Sequence, residues 1–199
     1  IAEALIICKN FIKNDSVALI LGDNIFYGQD LYEGIYKNID NNRGTIFLYE
    51  VKNASQYGVA NFKNNKLYSI VEKPKKPKSQ FAVTGLYIYS KGVTELVKNL
   101  KPSKRGELEI IDLLLKYKKK NKLSADFIGR GGAWLDTGSI EDYYKTIAFV
   151  QAIENRQGFK IACIEEIALN NKWTSRKNIM NSIKFYGNCD YSKYLKNLI

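Results

Sequence analysis

The chain has 199 residues, 45% of them hydrophobic, and its 31 Lys+Arg against 20 Asp+Glu give a formal net charge of +11. That length supports one sizeable core, and the composition is not that of a disordered segment. The sequence contains no histidine, which excludes a His-based triad, an imidazole general base and a His metal ligand, so any chemistry must use carboxylates, lysines, arginines and metal.

In chain order, residues 1–11 read as a helix already under way with no N-cap before it, and the chain is expected to be a truncation because it opens on Ile1 rather than methionine. Asn14-Asp15 makes a turn. Residues 17–21 are a continuous β-rich run, which predicts a strand buried on both faces, with Asp23 at its exit. Asp30 is placed to cap a helix whose Leu31, Ile35 and Ile39 share one face, and residues 41–44 turn into a strand over 45–51, closing a βαβ unit. Runs at 57–62 and 67–72 flank the turn signal Asn64-Asn65 and predict a hairpin, followed by a lysine- and proline-rich loop over 73–78 expected to be mobile without ligand. Residues 82–89 form a further strand with Val83, Gly85, Tyr87 and Tyr89 on one face, and Gly85 marks a close backbone approach. Helices follow over 91–100 and 107–120, then strands over 123–128 and 133–136, an amphipathic helix over 140–155 and short helices over 165–199. No repeat or low-complexity linker interrupts the chain, which predicts a single domain over 1–199 with 156–199 as a helical extension.

The longest apolar runs, such as 17–21 and 113–115, fall far short of the roughly 20 residues of a membrane span, and no secretory pattern opens the chain. A soluble cytoplasmic protein is expected. Cys8, Cys163 and Cys189 are few, odd in number and scattered, so they read as reduced thiols. Lysines cluster at 73–78 and 116–122 without the regularly interleaved aromatics of a base-stacking platform. The positive charge therefore suits a small anionic ligand better than nucleic acid.

Two segments carry the strongest chemical signal. Leu19-Ile20-Leu21-Gly22-Asp23-Asn24 and Ala133-Trp134-Leu135-Asp136-Thr137-Gly138 are apolar runs that each end in an aspartate beside glycine. In an open α/β sheet the C-terminal strand ends face the ligand crevice, where such carboxylates are placed to share one Mg²⁺. The alternative is two unrelated turn aspartates. Glu72-Lys73 is a charged pair whose side chains would point to opposite faces of a strand, so both serve one ligand only if the strand ends there, and Pro74 supplies that end.

The ordered set Gly22-Asp23-Asn24-Ile25-Phe26-Tyr27-Gly28, Tyr57-Gly58-Val59, Glu72-Lys73-Pro74, Val83-Thr84-Gly85-Leu86-Tyr87, Lys101-Pro102-Ser103, Arg105-Gly106-Glu107-Leu108-Glu109-Ile110, Trp134-Leu135-Asp136-Thr137-Gly138 and Arg156-Gln157-Gly158 resembles glucose-1-phosphate thymidylyltransferases. The resemblance implies an α/β Rossmann-like nucleotide-diphospho-sugar transferase fold, a mixed sheet with helices on both faces, here lacking its first strands. It implies Mg²⁺-dependent transfer of a thymidylyl group from dTTP to α-D-glucose 1-phosphate, giving dTDP-glucose and pyrophosphate for deoxysugar synthesis such as that of rhamnose in surface polysaccharides. The family's metal ligands match Asp23 and Asp136. Its sugar-phosphate lysine and arginine match Lys73 and Arg105, and its glucose-binding carboxylate matches Glu72. Tyr57, Gly58 and Val83 match substrate contacts. Family members form homotetramers with a regulatory nucleotide site at a subunit interface, to which Tyr27-Gly28 and Cys163-Ile164-Glu165-Glu166-Ile167 correspond. Gln29 stands where histidine is usual, Asn170-Asn171 replace a more basic stretch, and Ile111 replaces a common threonine. The glycine-rich triphosphate loop has no counterpart, so this chain is expected to hold half an active site and to be inactive alone. Two other readings remain at this level: a catalytically silent assembly or regulatory fragment, and a relative that uses another nucleotide.

Overall fold

In a computed structural model, which describes residues 1–39 and 41–199, the chain divides into two compact units, Ile1–Gly138 and Ser139–Ile199. The second unit includes the 140–155 helix as well as the 156–199 extension expected from the sequence. The first unit contains strands β1 (Val17–Ile20), β2 (Asn24–Tyr27), β3 (Gly44–Glu50), β4 (Gly58–Lys63), β5 (Lys66–Glu72), β6 (Phe81–Tyr89), β7 (Leu123–Phe127) and β8 (Ala133–Asp136). Its helices are α1 (Ala4–Ile7), α2 (Lys9–Ile12), α3 (Gln29–Ile39), α4 (Val93–Lys98) and α5 (Ile110–Lys119). The main sheet runs β5-β4-β6-β3-β7, with β1 also paired to β6. β3 and β7 are parallel while the other pairs are antiparallel, which makes the sheet mixed. β2 and β8 form a separate antiparallel ribbon.

β6 is apolar on both faces and organises the core. Val83, Tyr87 and Tyr89 pack with Leu5, Ile12, Val93, Val97, Leu113, Leu114 and Tyr117 on the side of α1, α2, α4 and α5. Leu86 and Ile88 point the other way, where Phe47 and the Leu31, Ile35 and Ile39 stripe of α3 close over them. A residue period of two on the strand thus sends alternate side chains into separate apolar layers, each covered by helix. Full burial of each such Leu or Ile contributes about 1.5–3 kcal/mol.

Several local expectations meet a tertiary correction. β1 is not buried on both faces: Ala18 and Ile20 are exposed, because its residues pair antiparallel with Leu86–Tyr89 and it alternates like a half-covered strand. β1 and β3 do run parallel around α3, but β6 lies between them and is antiparallel to both. The opening segment is two short helices separated at Cys8, whose φ of −82° and ψ of 7° leave the helical region. α3 begins at Gln29, ahead of the expected cap Asp30, whose side chain lies outside the described residues. The β4–β5 hairpin forms as expected: Asn64 and Asn65 take φ of 50° and 58°, the left-handed pair that a tight two-residue hairpin turn requires.

The second unit is helical, with α6 (Ile140–Gln157), α7 (Ile164–Asn170), α8 (Arg176–Tyr186) and α9 (Asp190–Asn197). Ser139 caps α6 by accepting from the Asp142 N–H, and Gly158 ends it at φ +73°. Cys163, Ile179, Ile183 and Leu195 form this unit's small core. Among the described residues no helix is long and apolar enough to cross a membrane.

Candidate active site

The two aspartate segments meet through the β2–β8 ribbon. Asp23 immediately precedes β2, β8 ends at Asp136, and the register sets Asn24 opposite Asp136. The Asp23 carbonyl accepts from both the Thr137 N–H and the Thr137 hydroxyl at 2.9 Å, which stitches the two strand ends together. One Asp136 oxygen accepts from the Gly138 N–H at 3.0 Å, and Asp23 Oδ1 accepts from Asn24 Nδ2 at 2.7 Å. Opposite placement of the two carboxylates would have ruled out a shared ion. They instead line the same cleft of about 310 Å³.

The same cleft is lined by Tyr57, Gly58, Glu72, Lys73, Val83 and Arg105, so all eight residues singled out in the sequence come to one place. The Glu72-Lys73 pair reaches it by the expected break in the strand. β5 ends at Glu72, and Lys73 adopts φ +40° while its N–H still donates to the Tyr57 carbonyl at 3.0 Å. A non-glycine residue in this region is strained by about 1–2 kcal/mol, and the bend cancels the alternation that would have separated the two side chains. Gly58 faces Glu72 across the β4–β5 pair. A Cβ at Gly58 would stand 3.3 Å from both Glu72 Oε2 and Ile111 Cδ1, so the missing side chain is what leaves the carboxylate its room.

Arg105 is exposed and directed onto Glu109: its Nη2 donates to Oε1 and Oε2 at 2.9 and 3.1 Å, and Ser103 Oγ adds a bond to Oε1 at 2.8 Å. The guanidinium, and secondarily Ser103, hold the Glu109 carboxyl below the usual carboxylate range. Tyr87 also lines the cleft, and burial, reinforced by the negative charge of Glu72, pushes its phenol far above the ordinary value. It stays protonated and available as a donor. Trp134 is buried, stands edge-on to Tyr57 with centroids 5.0 Å apart, and donates its indole N–H to Asn24 Oδ1 at 2.6 Å.

The electrostatic balance of the cleft is opposite to that of the chain. Asp23, Glu72, Glu107, Glu109 and Asp136 line it, against Lys73 and Arg105 as the cationic side chains among the described residues. An anionic ligand is held more weakly in such a site than it would be with an added cation. Among the described residues no group of three or more His, Cys, Asp or Glu gathers as a metal cage. Two carboxylates at adjoining strand ends fit Mg²⁺, which is held by one or two carboxylates and completes its shell with water and phosphate oxygens.

Comparison with known proteins bears on this arrangement. The family model described as Nucleotidyl transferase matches residues 1–153. A curated glucose-1-phosphate thymidylyltransferase from Neisseria meningitidis serogroup A is 45% identical over the whole chain, which spans 70% of that relative's length. The chain belongs to the glucose-1-phosphate thymidylyltransferase branch of the nucleotidyl transferase family. A relative from Mycobacterium tuberculosis is 39% identical, again over the whole chain and 69% of the relative. Among solved structures, one assigned as a glucose-1-phosphate thymidylyltransferase from Bacillus anthracis, in complex with sucrose, has a TM-score of 0.67 at 40% identity. That match covers 75% of this chain and 60% of the other. The Rossmann-like fold class expected from the motifs is thereby shown.

Sequence reasoning did not assign Asn24, Tyr87, Glu107, Glu109 or Ile111 to the cleft, although all five line it. Tyr87 was legible, since strand alternation puts it on the Val83 and Gly85 face. The Arg105–Glu109 pair was not, because its four-residue spacing occurs outside a helix and depends on the loop path. Of the segments resembling a regulatory site, Tyr27-Gly28 closes β2 in the first unit, whereas Glu165 and Glu166 belong to α7 in the second and accept from the Tyr191 and Tyr194 hydroxyls at 2.5 Å each.

Proposed function

We propose that this cleft is the sugar-phosphate and metal side of a thymidylyltransferase site, in which a phosphate oxygen of α-D-glucose 1-phosphate attacks the α-phosphorus of dTTP. The O–Pα bond to the sugar phosphate forms, the Pα–O bond to pyrophosphate breaks, and the products are dTDP-glucose and pyrophosphate. The nucleophile is already anionic, so no general base is needed, and a chain without histidine meets no obstacle. The observation that carries the reading is the convergence of Asp23, Asp136, Glu72, Lys73 and Arg105 on one cleft.

Each residue has a role suited to its chemistry. Lys73 supplies a compact positive charge for the sugar phosphate, and Arg105 a planar fork for two of its oxygens once the phosphate competes with Glu109. Glu72 accepts from glucose hydroxyls, while Gly58, Tyr57 and Val83 shape the sugar's seat. Asp23 and Asp136 would hold Mg²⁺, which when bound neutralises phosphate charge and orients the two anions.

Pyrophosphate exchange into dTTP in the presence of glucose 1-phosphate, which the direct displacement requires, tests the function. Measured on this chain and on a form extended at its N-terminus by the corresponding segment of a relative, exchange is expected in the extended form. Absence of exchange in both favours the silent assembly fragment instead. Arg105→Ala is expected to raise KM for glucose 1-phosphate about tenfold with little change in KM for dTTP, and Arg105→Lys to recover only part of the loss. Equal effects on both substrates would contradict the assignment. Homo-oligomerisation completes the proposal. It is supported by the exposed Ile164, Trp173 and Phe185 of the second unit and is measurable by sedimentation.

A further inference from the structure

We infer that Asn24 is a positioning residue that aims the Asp23 carboxylate at the metal, an inference that rests on the metal reading above. Every polar atom of its amide is engaged. Oδ1 accepts from the Gly85 N–H of β6 at 3.1 Å and from the Trp134 indole N–H of β8 at 2.6 Å. Nδ2 donates to Asp23 Oδ1 at 2.7 Å. The two N–H donors define which end of the amide is oxygen, because a flipped amide would set Nδ2 against both of them. Nδ2 must then face Asp23.

The surroundings are cut to this amide. A Cβ at Gly85 would stand 2.5 Å from Asn24 Oδ1 and 2.9 Å from Leu21 Cγ, so only glycine lets the central strand approach. The amide therefore joins the main sheet, the β2–β8 ribbon and one carboxylate of the cleft. Asp23 itself is exposed, and an exposed carboxylate at a strand end has rotational freedom that its neighbour's N–H removes. Partners that orient metal ligands typically cost 10–100-fold in metal affinity when lost.

The test is Mn²⁺ binding to this chain by electron paramagnetic resonance, alongside calorimetric binding of glucose 1-phosphate without metal and the thermal midpoint. Asn24→Ala is expected to weaken Mn²⁺ about tenfold or more while sugar-phosphate affinity stays within about twofold. Gly85→Ala leaves Asn24 and both carboxylates chemically intact but displaces the amide, and it is expected to weaken Mn²⁺ by a similar factor. The double variant should bind Mn²⁺ no worse than Asn24→Ala, since both changes break the same arm. Asn24→Ala binding Mn²⁺ within about twofold of the parent, while Asp23→Asn does not bind, overturns the positioning role and leaves the metal reading standing. Parent-like binding by Asp23→Asn and Asp136→Asn overturns both. Should Gly85→Ala not fold, Asn24→Ala with its two ligand measurements decides alone, and equal loss of metal and sugar phosphate rejects the proposal.

Discussion

Asp136→Asn and Asp23→Asn are each expected to lower Mg²⁺-dependent turnover on the order of 10³-fold, about 4 kcal/mol in the barrier, without unfolding the chain. Asparagine retains an Oδ1 in nearly the same place, so the Gly138 N–H to residue 136 and the Asn24 Nδ2 bond to residue 23 can both persist. What disappears is charge. Asp23 is exposed and Asp136 half-buried, so stability should move by no more than about 0.5 kcal/mol. Turnover measured against Mg²⁺ concentration in the extended form, with thermal melting as the control, checks the prediction. Near-normal rates in both variants would remove the metal assignment.

Lys73 offers a test in which function and stability move in opposite directions. Its backbone holds φ +40°, which disfavours any side chain bearing a Cβ, and its side chain is exposed. Lys73→Ala is expected to lower kcat/KM for glucose 1-phosphate about 10²-fold, roughly the loss of one charge-assisted contact in a cleft dominated by carboxylates. Lys73→Gly should lose the same activity yet stabilise the fold by about 1 kcal/mol, because glycine adopts this conformation without strain. For a chain of this size that is a rise of about 2–4 °C in Tm. An unchanged kcat/KM in Lys73→Ala would contradict the assigned contact. A lower Tm in Lys73→Gly would show that the strained lysine is held by contacts stronger than the strain.

The elements legible in the sequence are those whose local pattern and tertiary surroundings agree. The Asn64-Asn65 turn, the α3 stripe of Leu31, Ile35 and Ile39, and the apolar faces of β6 were all readable, because turn geometry and side-chain period are set within a few residues. The burial of β1 was misread for the complementary reason. Val17, Ala18, Leu19 and Ile20 are all apolar, so periodicity could not reveal that Ala18 and Ile20 face outward. The break at Cys8 and the start of α3 ahead of Asp30 likewise have no signal in the local pattern.

At the candidate site, the sequence alone determined the residue types: carboxylates beside glycines at strand ends, a charged pair before proline, and the absence of histidine, all local properties of the chain. Tertiary structure alone decided that Asp23 enters β2 beside the point where Asp136 ends β8, that Lys73 turns onto the side of Glu72, that Glu109 takes Arg105, and that Asn24 bridges Gly85, Trp134 and Asp23. Each of these relations depends on strand register or on backbone conformation between segments distant in sequence. Register is selected by burial across the whole sheet, and no short window of residues contains that information.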